Sequence, residues 1–125
     1  GYLMVTFRLK EQDDNQLTYW YFPQGKEANG HGIIIIDRVV GKVDVTQLAP
    51  DDRLRRHTLE EQLKLRKATE NMRKIEQLPE LTEEEWPIPT ADKISTIFAD
   101  HAIRKIVEAY NQGQILEEGI EVWQM

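Results

Sequence analysis

Cysteine is absent from the chain of 125 residues, which removes disulfide scaffolds, zinc-thiolate centres, iron–sulfur clusters and cysteine nucleophiles together. No apolar run approaches the roughly 20 residues that a membrane span requires, so no membrane partner is expected. The basic, apolar and small-residue order of a signal peptide is missing from the N-terminus, which makes the cytoplasm the expected compartment. Gly1, Tyr2 and Leu3, ahead of Met4, read as a remnant or the product of trimming. Histidine is scarce at three residues, and neither Gly-x-Ser-x-Gly, His-Glu-x-x-His nor a carboxylate ladder occurs. The sequence therefore names no cofactor, metal or catalytic mechanism, and the expectation leans away from an enzyme.

What is present describes an ordinary globular chain. Apolar residues make up 40% and charged residues 30%, and the length suits one core but not two, so a single domain over 1–125 is expected. A net charge of −6 with a pI near 5.1 repels nucleic acid at long range.

Leu3, Val5, Phe7 and Leu9 alternate with Met4, Thr6 and Arg8, the period of a half-buried strand. "LTYWYF" (17–22) is rich in strand formers and stops at Pro23, and Ile33 to Ile36 form a third strand. Val43 and Val45 mark a fourth before Pro50. Short connections favour an antiparallel meander over 3–48. "HTLEEQ" then carries a capping box, Thr58 with Glu61, opening a helix over about 58–77 that Pro79 stops. Leu65, Ala68, Met72 and Ile75 share one face of it, while Leu59 and Leu63 point nearly the opposite way. The linker "LPELTEEEWPIP" offers Trp86 as an anchor into the core. Thr90 is positioned to cap a second helix over about 90–112, closed by Gly113. The fold class expected is α+β: an antiparallel sheet of four strands, five if the tail at 115–125 joins, with two helices packed on one face.

"NGHGIIIID" (29–37) raises the question of chemistry most directly. A phosphate-cradling loop leads from a strand into a helix N-terminus, whereas these glycines lie between two strands. Asn29-Gly30 reads instead as a turn. His31 and Asp37 are separated by roughly 20 Å of extended chain, so they cannot form a dyad. His57 stands at a helix start, and His101 falls on an apolar helix face, more in keeping with a packed histidine than a metal ligand.

Surplus apolar surface and the lack of a catalytic signature lead to the first expectation: a protein–protein interaction or regulatory module, self-associating or binding another protein. Its contact residues would be Trp20, Phe22, Ile34, Ile36, Leu59, Leu63 and Trp123. The tail or a second copy would cover the outer sheet face. A second reading places a small-ligand pocket or active site between sheet and helices, with His31, Asp37, Tyr19 and Tyr21 meeting Arg53 and Arg55. The third is nucleic-acid binding through Arg53–Lys74, which holds eight basic and three acidic residues. Against it, Glu60–Lys64 and Glu70–Lys74 are the i,i+4 pairs of a solvated helix. The succession of aromatic strand, glycine loop, "IIIID" and "LAPDD" resembles small bacterial or phage proteins in a general way, and no residue role is carried over from that likeness.

Overall fold

The structure is a computed structural model describing residues 1–125. In chain order its elements are β1 (Tyr2–Gln12), β2 (Gln16–Pro23), β3 (Gly32–Asp37), β4 (Val43–Gln47), β5 (Leu54–His57), α1 (Leu59–Ile75), β6 (Lys93–Thr96), α2 (Phe98–Asn111) and β7 (Glu118–Gln124). The class is α+β. β1 to β4 form the meander, and the tail adds β7 antiparallel to β1, giving the order β4-β3-β2-β1-β7.

Register decides which residues face inward. Tyr19 pairs with Ile34 and Leu17 with Ile36, while Phe7 pairs with Tyr21 and with Gly119. These residues share one sheet face with Leu3 and Val5, and against them α2 sets Phe98, Ala99, Ala102 and Ile106. Each large apolar side chain fully removed from water stabilises by about 1.5–3 kcal/mol, so this contact holds the sheet and α2 together. Two glycines are demanded by it. A methyl at Gly32 would overlap the Tyr21 ring, and one at Gly119 would overlap Phe7.

Chain contacts divide into two compact units, Gly1–Arg53 with Thr96–Met125, and Leu54–Ser95. The second unit contains the two-stranded sheet β5-β6 and α1. Within the first unit the Ile97 amide donates to the Arg53 carbonyl at 2.9 Å.

The second helix starts at Phe98 rather than near residue 90. Lys93–Thr96 belong to β6, because "KIST" meets a strand partner in β5, and pairing overrides a Thr90 cap that is only local. Ile34 and Ile36, expected at an interface, are core residues with 0% and 4% exposure. Their inward parity is imposed by Leu17 and Tyr19 across the ladder. Trp86 is half-buried within the second unit, under the Arg66 guanidinium.

Candidate functional site: the outward face of the first helix

α1 begins where the capping box places it. Thr58 Oγ1 accepts from the Glu61 amide at 3.1 Å, and the Glu61 carboxylate accepts from the Thr58 amide at 3.3 Å. Asp92 adds a third acceptor, taking the Leu59 amide at 2.8 Å and the Arg56 guanidinium at 2.6 Å. Those donors, the Leu59 amide first, hold the Asp92 carboxyl below the usual range.

The polar side of α1 is the covered one. Gln62 donates to the carbonyls of His57 and Ala91 at 3.1 and 3.0 Å. Arg66 donates to the Trp86 carbonyl and lies 4.9 Å from the Trp86 ring centre. Arg73 forks onto the Pro79 carbonyl at 3.0 and 2.8 Å. At about 100° per residue, Gln62, Arg66, Thr69 and Arg73 form one stripe, and the segment after the helix folds back along it. The stripe of Leu65, Ala68, Met72 and Ile75 is centred about 110° away, with Leu65 nearest to the polar stripe. No residue of α1 is buried, and Leu65, Met72 and Ile75 are 66%, 60% and 82% exposed. An apolar stripe left in water beside a covered polar stripe inverts the usual amphipathic arrangement.

The outer face of the large sheet is better protected. His31 stacks on Trp20 at 3.6 Å with rings 9° apart, Lys10 Nζ sits 4.3 Å from the Trp20 ring centre, and Arg8 lies over Phe22 while pairing with Glu27. The β2–β3 loop returns on this face, with Gly25 against Met4 and Thr6. The tail does not cover this face but joins the sheet edgewise. Ile120 and Val122 on β7 stay about half exposed.

The residues proposed for a ligand pocket are dispersed. Tyr19 and Tyr21 are core residues. The Tyr19 hydroxyl donates to the Leu116 carbonyl at 2.6 Å, and burial raises its pKa to about 12. Tyr21, raised further by desolvation, donates to Asp52 at 2.7 Å and accepts from the Ala49 amide at 3.0 Å. His31 occupies the opposite sheet face. Asp37 closes the β3–β4 turn by accepting from the Val39 and Val40 amides at 2.9 and 3.1 Å. Arg53 is exposed where the second unit begins, and Arg55 is exposed on β5. The cleft beside α1, bounded by Arg73, Lys74, Leu78 and Trp86, measures about 130 Å³, below the ~300 Å³ at which ligand sites begin. No three His, Asp or Glu side chains gather where they could hold a metal ion, and no helix is long and apolar enough to cross a membrane.

Of the basic segment, Arg56, Lys64 and Arg66 are paired with Asp92, Glu60 and Glu70. Among the other proposed contact residues, Leu63 is 41% exposed and Leu59 is half-buried. Phe22 is buried and Trp20 half-buried. Trp123 packs on Phe98 and stacks on His101 at 3.7 Å. The sequence reading named the α1 stripe by its spacing but did not count it as a contact surface. It also missed Asp52, for which no local signal exists. No family model, curated protein or solved structure matches this chain.

Proposed function

We propose that the protein is a protein–protein interaction module whose docking element is α1. The observation that carries this reading is the inverted helix: a polar stripe tied down by backbone carbonyls and an apolar stripe open to water. Apolar side chains at helical spacing fit the groove or facing helix of a protein partner, as in helix-in-groove recognition. The ligand-pocket reading has less support: the open hollow of about 500 Å³ on the large sheet, lined by Arg8, Phe22, Glu27 and Ile120 among others, holds none of the residues expected at a pocket.

The test is affinity capture from the native host with two baits, the natural chain and Leu65→Glu/Met72→Glu. Both substitutions fall on exposed positions and leave the core intact. Proteins retained by the first bait and lost by the second are expected. An identical set on both baits would refute the reading.

A further inference from the structure

We infer that residues 54–95 open and close as one low-stability unit while the first unit stays folded. This concerns the stability of α1 and does not rest on its docking role. Every buried apolar side chain, from Leu3 to Ile106, lies in Gly1–Arg53 or Thr96–Met125. Leu54–Ser95 has no buried residue of any kind, and its Leu54, Leu65, Met72, Ile75 and Ile94 each keep more than half of their surface in water. Burial of apolar surface is the main effect that offsets the entropy of ordering a chain, so the two units are held by very unequal forces. A stretch of roughly 40 residues without a core ordinarily needs disulfides, a metal or a partner. This one has no cysteine and no cluster of metal ligands.

What orders the second unit is local. Exposed hydrogen bonds contribute little each, and exposed ion pairs less. A two-stranded ribbon such as β5-β6 is marginal by itself. α1, at 17 residues, is little longer than the length at which isolated helices are marginal. These pieces therefore need one another. Asp92, just before β6, accepts from the Leu59 amide of α1 and from Arg56 of β5, and Gln62 of α1 donates to the Ala91 carbonyl. Loss of one piece loosens the rest. The first unit does not depend on them. Within it, the Ile97 amide donates to the Arg53 carbonyl, and the Phe98 and Ala99 amides donate to Asp52. Its two chain segments are thus closed on each other without residues 54–95, and its core loses nothing when they open. Opening free energies differ in this way between cooperative units of one chain.

Native-state hydrogen exchange of the full chain, followed amide by amide in rising but sub-denaturing urea, tests this. The α1 amides are expected to share one protection factor, on the order of 100 or less, and one shallow urea slope. The amides of β1, β2, β3 and α2 are expected to be protected at least about 100-fold more. Asp92→Ala should speed exchange about fivefold in α1 and β5 alike and leave β1, β2 and β3 unchanged. Core-like protection and urea slope in α1 would overturn the inference, because the molecule would then open only as a whole. Protection that declines steadily toward one end of α1 overturns it too, as does an Asp92→Ala effect confined to the first turn, since the helix then frays by itself. Unprotected amides throughout α1 are equally fatal, for no closed form would then exist.

Discussion

Asp52 is the residue whose removal tests the architecture most sharply. Its carboxylate accepts from the Phe98 amide at 2.9 Å, the Ala99 amide at 3.3 Å, the Arg53 amide at 2.8 Å and the Tyr21 hydroxyl at 2.7 Å. It caps α2 from 46 residues away in sequence, because Ile97 provides no side-chain cap. Asp52→Ala removes the acceptor at the helix start, worth about 1–2 kcal/mol, and strands the hydroxyl of a fully buried tyrosine, worth about 1–2 kcal/mol more. The exposed Arg53 amide turns to water at little cost. A loss of about 3 kcal/mol follows. With an m-value of about 1.5 kcal/mol/M, the urea midpoint should fall by about 2 M. Asp52→Asn keeps the shape but offers one accepting oxygen instead of two, and should lose about half as much. Tyr21→Phe in the Asp52→Ala background should cost less than it does alone, with a coupling of about 1 kcal/mol, since the two groups are hydrogen-bonded. The assay is urea unfolding followed by far-ultraviolet circular dichroism and tryptophan fluorescence. Loss of less than about 0.5 kcal/mol for Asp52→Ala, the range of ordinary surface changes, would show that α2 does not depend on this carboxylate.

Other perturbations follow the same physics. Gly32→Ala drives a methyl into the Tyr21 ring and should cost about 1–3 kcal/mol in urea unfolding; a neutral result would contradict the close packing of β2 on β3. Thr58→Ala should lower the protection of α1 amides in hydrogen exchange by about 1 kcal/mol, whereas Thr58→Ser should not. The His101 pKa is depressed, first by desolvation and then by Arg104, against smaller opposing effects of Glu121 and Asp100. The unfolded chain thus takes up its proton before the folded one does. Stability is fully present above about pH 6.5 and declines as pH falls from there through the lower folded-state value. His101→Gln should flatten that decline, and equal slopes in the two proteins would remove His101 as its source.

How much of this was legible depends on how far apart the interacting residues are. Alternation in 3–9 and the valines at 43 and 45 showed the meander, because a strand with one solvated face prints its period locally. The Thr58–Glu61 box was readable because its partners are three residues apart. Asp52 and Phe98 are not linked by any local pattern, so a cap built from a preceding loop is invisible in sequence. Ile33 to Ile36 carry no parity at all, since four identical residues look the same from either face. Only the ladder to Leu17 and Tyr19 turns Ile34 and Ile36 inward. At residues 93–96 the local signals pointed to helix, and a strand partner nearly 40 residues earlier decided otherwise.

The same limit explains why the weight of the functional argument moves from the sheet to α1. Hydrophobic periodicity states which residues share a side, not which side the rest of the chain will cover. On the sheet, Trp20 and Phe22 look like surplus apolar surface until Lys10, Arg8 and His31 are seen lying over them. A cation or imidazole on an aromatic face satisfies the ring and still presents a charged or polar edge to water. That face therefore has less need of a partner than its composition implies. On α1 the reverse holds. Gln62, Arg66 and Arg73 hold the returning chain by hydrogen bonds to carbonyls, so cover goes to the polar stripe, and Leu65, Met72 and Ile75 keep more than half of their surface in water. Placing three large apolar side chains in water brings no folding stability. Apolar side chains left in water in one line at helical spacing are what the proposed docking role of α1 rests on.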